Sequence, residues 1–211
     1  MDVYFVRHGE TDGNVAKRHQ HSKTTLNEVG LVQAETVAGE INVLKPTHII
    51  TSTQLRAVQT TKIITAYCEG IIPDTHPAFE ELGRPDKLVG GRFVSPETVW
   101  YLWRWFYGRL AKDEMGETYA EFILRIKEAR TYLESLPADA RVVVVSHAVF
   151  INFFLEHLCS DKPMSLWRAA KRLWLILTLR NATILHLKYT RTANGTCGWS
   201  FISAARVYPK S

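Results

Sequence analysis

Two arginines and two histidines follow short apolar runs in this chain, and together they are suited to phosphoryl chemistry. Arg7 and His8 follow the run VYFV, Arg56 comes shortly after HIIT, and His147 follows VVVVS. A guanidinium matches the oxygens of a phosphoryl group through paired, charge-assisted hydrogen bonds. A neutral imidazole is a nucleophile near pH 7, and adjacent arginines favour that form because like charge disfavours imidazolium.

The apolar runs are the strands that must position these side chains. The run RVVVV at 141–145 is β-branched on both faces, which is typical of a strand covered by helices on both sides. The carboxyl ends of parallel strands share one edge of a sheet, and ligands bind at that edge. One polar strand ending is explained by a strand that reaches the surface. Three endings with the same chemistry predict one shared site.

Strands alternate with helices along most of the chain. Apolar residues at helical spacing predict a helix from about Glu28 to Leu44, with Leu31 in its core stripe, and further helices at 55–67, 118–136 and 150–158. Strands are expected at 3–6, 48–51, 141–145, 182–188 and 199–207, the last two as candidates for antiparallel additions at an edge. This order predicts an α/β fold, a three-layer α/β/α sandwich with a mostly parallel central sheet.

Residues 84–116 interrupt this pattern and predict a helical lid insertion within a single domain, 1–211. Ser95, Pro96 and Glu97 have the types of an N-cap, a first helical residue and a first-turn acid. The helix would carry the aromatic run VWYLWRWFY at 99–107, which is too short and too charged at Arg104 to span a membrane. We favour a lid that sets substrate choice over a subunit interface of a possible homodimer, and both over membrane-surface attachment.

The bulk composition favours a small anionic partner. The net charge is +5 and the basic residues are scattered, which is compatible with a small phosphorylated substrate and gives no nucleic-acid tail. Cys68, Cys159 and Cys197 are few and far apart, so neither a disulfide framework nor a zinc site is expected. No secretory signal pattern opens the sequence, and a cytoplasmic location is the expectation that follows. We expect no cofactor, and no nucleic-acid or membrane partner.

No metal site is expected either. His19 and His21 have H-x-H spacing, but they lie in a polar stretch without further ligand residues, so we interpret both as solvated loop residues. No cluster of carboxylates of the metal-binding kind is visible in the sequence.

The sequence resembles the histidine phosphatase superfamily, in its phosphoglycerate mutase-like branch. The motif R-H-G-E-T stands at 7–11, S-T-Q-L-R-A-V-Q-T at 52–60 is similar to the family's S-x-x-x-R-A-x-Q-T, and V-S-H at 145–147 matches the second histidine motif. T-L-N-E-V-G at 25–30 and G-E-T at 116–118 resemble two further family motifs. Several motifs in the correct order are far more specific than R-H-G alone.

The resemblance implies a metal-independent phosphomonoesterase that acts on a small phosphorylated metabolite through a phosphohistidine. In that mechanism His8 attacks phosphorus, and the phosphoryl oxygens are held by Arg7, Arg56 and His147. Asn14 and Gln20 would help to line the substrate pocket.

The resemblance also implies a glutamate that protonates the leaving alcohol, and the segment FEELGRP at 79–85 offers two. Adjacent residues in an extended segment point to opposite sides. If Phe79 turns inward, Glu81 shares its side and Glu80 faces solvent. We therefore expect Glu81 to be the general acid, although the family's usual E-x-x-x-G-x-W-E-G is absent here.

Two other functions stay open. One is a phosphoglycerate mutase-type phosphotransferase, although the R-x-Y-G segment that follows the glutamate in cofactor-dependent mutases is absent. The other is a non-catalytic phospholigand-binding module, against which the intact arginine and histidine set argues.

Overall fold

The computed structural model describes residues 1–107, 116–160, 162, 164–165, 167–168, 172, 179–192 and 196–206. Its strands are β1 (Asp2–Arg7), β2 (His48–Thr51), β3 (Asp74–Thr75), β4 (Arg141–Ser146), β5 (Thr183–Tyr189) and β6 (Trp199–Arg206). The α-helices of this described part are α1 (Asp12–Val15), α2 (Glu28–Val43), α3 (Leu55–Tyr67), α4 (Pro96–Phe106), α5 (Tyr119–Glu134) and α6 (Ala148–Glu156). Short 3₁₀ turns span Pro77–Phe79 and Asp86–Leu88.

The strands form one six-stranded sheet in the order β3-β2-β4-β1-β5-β6. The first four strands of the chain pair in parallel, whereas β5 and β6 are antiparallel additions beside β1. This arrangement confirms the predicted mostly parallel sheet and its antiparallel edge. The sequence did not predict β3, because two exposed residues carry no hydrophobic pattern.

Side chains alternate between the two faces of the sheet and build a core on each. Phe5 and Val144 belong to the cluster that also takes in the apolar side of α5 and α6. Val6 and Val145 belong to the cluster with α2 and α3 on the opposite face. Because both faces of β1 and β4 are covered, the central residues of these strands, 3–6 and 142–145, are aliphatic or aromatic, and the predicted three-layer sandwich is confirmed.

The helix predicted from Glu28 begins there and ends at Val43, but its buried face differs from the prediction. Leu31 is 41% exposed, whereas Gln33 is buried. The Gln33 amide oxygen accepts the backbone N–H of Glu10 at 2.9 Å, so its burial is compensated by a hydrogen bond. The prediction for Leu31 was wrong because the buried face of this helix includes fewer positions than there are apolar residues at helical spacing in the sequence.

Helix α4 begins as predicted, with the Ser95 hydroxyl accepting the backbone N–H of Thr98 at 3.2 Å. Its aromatic residues divide between two environments. Trp105 is buried among aromatic rings of the core, whereas Trp100 and Trp103 are exposed and stack with ring centroids 5.1 Å apart. Residues 108–115 of the predicted insertion lie outside the described part of the chain, and its action as a lid stays a prediction.

Cys159 and Cys197 form a disulfide with their Cα atoms 5.2 Å apart. The sequence argument missed this bond, because a separation of 38 residues does not show that the end of α6 and the start of β6 meet. Cys68 is buried and free. Among the described helices, none combines the length and the hydropathy of a membrane span.

Candidate active site

The carboxyl ends of β1, β2 and β4 meet at one edge of the sheet. The N–H of His8 donates to the Ser146 carbonyl at 3.1 Å, and the N–H of Ser52 donates to the Val145 carbonyl at 3.0 Å. The residues that follow the three strands are therefore neighbours. The structure brings together the histidines and arginines that the sequence places after these strands.

The His8 ring is buried and has both nitrogens engaged. Nδ1 lies 2.7 Å from the carbonyl oxygen of its neighbour Gly9, and Nε2 lies 3.3 Å from Nε of Arg56. A carbonyl oxygen only accepts and a guanidinium only donates. The proton is therefore on Nδ1, and Nε2 presents a lone pair.

The electrostatic surroundings keep His8 neutral. Burial, and then the positive charges of Arg56 and Arg7, lower the pKa of His8 well below its ordinary value of 6.5. The hydrogen bond to Gly9 acts in the opposite direction but does not outweigh them. A neutral imidazole whose Nε2 carries no proton is the form that can attack phosphorus.

The second histidine, His147, lies with its ring centroid 5.0 Å from that of His8. The Ser52 hydroxyl accepts the N–H of Gln54 at 3.2 Å and lies 2.8 Å from Nε2 of His147. A hydroxyl can donate to Nε2 or accept from it, and donation by Ser52 would leave the His147 proton on Nδ1. Nδ1 is buried and has no hydrogen-bond partner among the described residues. Burial, and then Arg56, lowers the pKa of His147 well below 6.5.

Arg7 and Arg56 are held by backbone and side-chain acceptors. Arg7 Nη1 donates to the carbonyl of Leu179, while its buried Nε has no partner in the described part of the chain. Arg56 donates to the carbonyl of His21 at 3.1 Å and to the side chain of Gln54. Burial lowers the pKa of each arginine to about 10, and the negative charge of Glu81 opposes that shift. Both guanidiniums stay charged at neutral pH.

The two candidate acids lie in different places. Both carboxylate oxygens of Glu81 accept backbone N–H groups at the start of α6, with Oε2 at 3.2 Å from Val149 and Oε1 at 3.2 Å from Phe150. Glu80 instead accepts a hydrogen bond from the hydroxyl of Thr53. Helix α6 begins directly after His147, so these contacts hold the Glu81 carboxylate at the helix start that follows the second histidine.

The loop that carries the two glutamates is held by Arg125 of α5. Arg125 donates to the carbonyl oxygens of Ala78, Glu80 and Glu81, at 3.1, 2.8 and 3.3 Å. The same guanidinium forms a bidentate salt bridge with Glu117, with both N–O distances 2.7 Å. Glu117 also accepts the N–H of Gly83 at 3.1 Å. Glu117 belongs to the G-E-T motif at 116–118, but nothing in the sequence predicts that it pairs with Arg125, because the two residues meet only through tertiary packing.

The predicted pocket residues Asn14 and Gln20 both bond to the loop after β1. The Asn14 side-chain oxygen accepts from the backbone N–H of Thr11 at 3.2 Å, and Gln20 Oε1 lies 2.7 Å from the Thr11 hydroxyl. Asn181, which the sequence analysis missed, donates to the carbonyl oxygens of His8 and Gly9 at 3.0 and 3.1 Å. Asn181 therefore holds the backbone of His8 and Gly9 in place.

The interpretation of the H-x-H pair as solvated loop residues is wrong for His19. Its ring is buried, with Nε2 3.0 Å from the hydroxyl of Thr98 in α4. Burial, and then the charge of Arg84, lowers the pKa of His19 to about 4. His21 is exposed, as expected, and its Nδ1 accepts the N–H of Lys23 at 3.1 Å. The two rings have separate partners and do not converge on one point.

Comparison with known proteins gives the same picture of the family. The model of the histidine phosphatase superfamily (branch 1) matches residues 3–196. The chain belongs to the histidine phosphatase superfamily. A protein of Yersinia pestis (strain Pestoides F) named probable phosphoglycerate mutase GpmB is 33% identical over 207 residues, which is 97% of this chain and 92% of that protein.

Solved structures share the fold of this histidine phosphatase superfamily member. The mycobacterial glucosyl-3-phosphoglycerate phosphatase in complex with VO3 has a TM-score of 0.69 at 21% identity, covering 95% of this chain and 96% of that one. A phosphoserine phosphatase mutant from Entamoeba histolytica in complex with phosphoserine has a TM-score of 0.69 at 18% identity, covering 98% and 97%.

The superfamily motifs R-H-G and T-L-N-E-V-G have a common steric basis here. A Cβ on Gly9 would lie 2.3 Å from the carbonyl oxygen of Gly30, and a Cβ on Gly30 would lie 2.1 Å from that of Glu10. The two backbones are therefore too close for any side chain. This contact places the start of α2 directly against the loop that carries His8.

Proposed function

We propose that the protein is a metal-independent phosphomonoesterase that hydrolyses a small phosphorylated metabolite through a phosphohistidine on His8. The observation that carries the proposal is the hydrogen-bonded state of His8. Its Nδ1 is committed to a carbonyl oxygen and its Nε2 lone pair faces Arg56 at 3.3 Å. Such a ring can attack phosphorus without losing a proton first.

In the first step Nε2 of His8 attacks the phosphorus atom, and the bond from phosphorus to the ester oxygen breaks. The charge on the phosphoryl oxygens meets Arg56, the unpartnered Nε of Arg7 and the unpartnered Nδ1 of His147. These donors stand in place before the reaction, so they stabilise the transition state without reorganisation. In other phosphoryl-transfer enzymes magnesium contributes this charge.

Glu81 is the proposed general acid. It gives its proton to the leaving alkoxide in the first step and, as carboxylate, takes a proton from the attacking water in the second. The water oxygen then replaces Nε2 on phosphorus, and neutral His8 is restored together with inorganic phosphate. Glu81 must hold a proton in the complex, and the negative charge of the bound phosphate favours this.

The proposed class of substrate is supported by the charge of the protein and by its structural neighbours. The net charge of +5, together with Arg7 and Arg56 at the carboxyl edge of the sheet, favours an anionic substrate. Two structural neighbours are phosphatases of small molecules, named for glucosyl-3-phosphoglycerate and phosphoserine. A cytoplasmic location fits such a substrate, although the disulfide between Cys159 and Cys197 was not expected there.

A phosphotransferase of the mutase type is the second candidate, and the name of the Yersinia pestis relative favours it. Such an enzyme returns the phosphoryl group from His8 to an alcohol instead of to water. Both candidates pass through the same phosphoenzyme, so the fate of the phosphoryl group separates them.

The experiment is a screen of the purified protein against phosphorylated metabolites, with inorganic phosphate and phosphoryl-group isomers measured in parallel. Phosphate release supports the phosphomonoesterase, whereas isomerisation without release supports the mutase. Absence of both turnover and phosphoenzyme supports a non-catalytic phospholigand-binding module. EDTA should have no effect, and inhibition by EDTA that magnesium or zinc reverses would contradict metal independence.

A further inference from the structure

A turn that precedes β5, residues 179–182, packs against the end of β1. Arg7 Nη1 donates to the carbonyl of Leu179, and the N–H of Ala182 donates to the carbonyl of Arg7 at 3.0 Å. The turn therefore holds Arg7 by both its side chain and its backbone. Leu179 follows Arg7 by 172 positions, so this contact depends on tertiary packing.

The backbone of this turn is strained at Ala182. Its φ is 56°, in the left-handed region that residues other than glycine rarely adopt. Lys17 and Lys45 also have a positive φ, but both are exposed, whereas Ala182 is buried. An unfavourable backbone conformation persists where the surrounding contacts hold it, and such positions cluster at functional sites. The conformation of Ala182 therefore indicates a functional role for this turn.

The side chain of Asn181 extends from the turn to the backbone of His8. Its amide donates to the carbonyl oxygens of His8 and Gly9, at 3.0 and 3.1 Å. The same nitrogen lies 3.1 Å from the side-chain oxygen of Asn14. An amide nitrogen carries two hydrogens, so the three acceptors share them. Asn181 therefore joins the backbone of His8 to the predicted pocket residue Asn14.

The Gly9 carbonyl links Asn181 to the His8 ring. Its oxygen accepts the His8 Nδ1–H at 2.7 Å and the Asn181 amide at 3.1 Å. A carbonyl oxygen has two lone pairs, so both hydrogen bonds form together. The direction of this carbonyl orients the His8 ring and with it the lone pair on Nε2. Removal of Asn181 would leave the carbonyl and the ring free to turn together.

We propose that Asn181 is a positioning residue for phosphoryl transfer, which acts through the Gly9 carbonyl to keep Nε2 of His8 directed at phosphorus. This inference rests on the proposed function and adds to it a residue that acts through the backbone of the nucleophile. A displaced nucleophile slows the reaction of every ester, because each ester needs the same bond from nitrogen to phosphorus. Loss of the acid instead slows mainly esters with a poor leaving group. This difference distinguishes Asn181 from Glu81 and Arg125.

The test measures the rate of phosphoenzyme formation in single turnovers of two esters, p-nitrophenyl phosphate and an alkyl phosphate. Asn181→Leu approximately keeps the volume of the side chain and removes both N–H donors. Thr183→Val is the matched control, since the Thr183 hydroxyl donates to the carbonyl of Arg180 at 2.9 Å, a bond within the same turn. Thermal melting shows whether each variant is folded.

We expect Asn181→Leu to lower the rate at saturating ester by about 10- to 100-fold, since displacement of a reacting group by about 1 Å has a cost of this order. The loss should be the same on both esters within about threefold, and KM should change by less than about threefold, because Arg7, Arg56 and His147 still bind the phosphoryl group. Thr183→Val should melt at a lower temperature and keep the wild-type rate.

Three results would overturn the inference. A loss confined to the alkyl phosphate would mean that Asn181 supports the acid. Equal losses in Asn181→Leu and Thr183→Val would mean that Asn181 supports only the turn. An unchanged rate in Asn181→Leu would mean that His8 is oriented without it.

A measurement without turnover separates failure of this inference from failure of the proposed function. The ¹⁵N signals of the His8 ring are identified as those lost in His8→Asn. The wild type should show a single tautomer with the proton on Nδ1, and Asn181→Leu should broaden these signals or shift them towards the average of the two tautomers. That result supports the positioning role even if the wild type hydrolyses no ester. Unchanged His8 signals overturn the inference even if the wild type is an active phosphatase.

Discussion

Arg56 donates from Nε to Nε2 of His8 across 3.3 Å, which places the cation on the lone pair that would attack phosphorus. The contact sets the His8 tautomer from one side, while Nδ1 and the Gly9 carbonyl oxygen set it from the other at 2.7 Å. A phosphoryl group that approaches Nε2 meets the same guanidinium N–H. The proposed nucleophile and the proposed electrostatic stabiliser are therefore in contact before substrate binds.

The first prediction assigns the acid. We expect Glu81→Gln to reduce kcat on an alkyl phosphate by about 10²- to 10⁴-fold, because a poor alkoxide leaving group needs the proton. The kcat of the same variant on p-nitrophenyl phosphate should fall only slightly, because this leaving group is stable as an anion. Glu80→Gln, which removes only the contact with Thr53, is the matched control and should lose little on either ester. The opposite pattern would assign the role to Glu80.

The second prediction concerns the support of that acid. Arg125→Gln removes three hydrogen bonds to the loop carbonyls and the bidentate contact with Glu117. We expect about a 10- to 100-fold loss in kcat on the alkyl phosphate, since displacement of the acid by about 1 Å has a cost of this order. The loss in kcat of this variant on p-nitrophenyl phosphate should be much smaller. Glu128→Gln, an exposed change on the same helix, should alter neither rate. Equal losses on both esters would mean that Arg125 serves the fold alone.

The third prediction concerns the aromatic helix α4. Trp105 is 1% exposed and belongs to the core, so the test replaces only the exposed Trp100 and Trp103. We expect the double alanine variant to raise KM for the preferred metabolite several-fold while turnover of p-nitrophenyl phosphate is kept. Trp167→Ala, at a position that is 81% exposed, is the control. If kinetics are unchanged and an oligomer dissociates, this surface is a subunit interface instead of a lid.

The fourth prediction concerns pH and stability. His19 has a pKa of about 4 in the folded protein, against an ordinary value of 6.5, so the unfolded chain binds its proton first as the pH falls. The contribution of His19 is therefore present above pH 6.5 and is lost as the pH falls from 6.5 towards 4. Between pH 7 and pH 5 this loss is at most about 2 kcal/mol.

Urea denaturation at the two pH values measures the effect. The free energy of unfolding should fall less steeply with pH in His19→Gln than in the wild type. His21→Gln removes an exposed histidine two residues away and should keep the wild-type slope. Equal slopes in all three proteins would contradict a buried neutral His19.

Five of the six strands of the described sheet, most of its helices and the core of the site could be predicted because local patterns determine them. The apolar runs VYFV and VVVV predict β1 and β4. Parallel pairing of these two strands then brings His8 and His147 to the same edge of the sheet, independently of the loop conformations. Ser95 and Pro96 similarly mark the start of α4 at the correct residue.

Other parts depend on contacts between distant residues and leave no local pattern. Asn181 reaches the His8 loop from 173 positions away, and Arg125 reaches the Glu81 loop from another helix. His19 appeared solvated because its neighbours in the sequence are polar, whereas Thr98 covers it. Such contacts are fixed by tertiary packing, which a single sequence does not reveal through local patterns.

The central claim is that His8 carries the phosphoryl group, and the direct measurement is the site of label during turnover of a ³²P-labelled phosphomonoester. The reaction is quenched in detergent, and the labelled peptide is identified by mass spectrometry. We predict a label on His8 that survives base and is released by acid, with neither label nor turnover in His8→Ala. Turnover by the wild type without a labelled His8, or normal turnover by His8→Ala, would contradict the account.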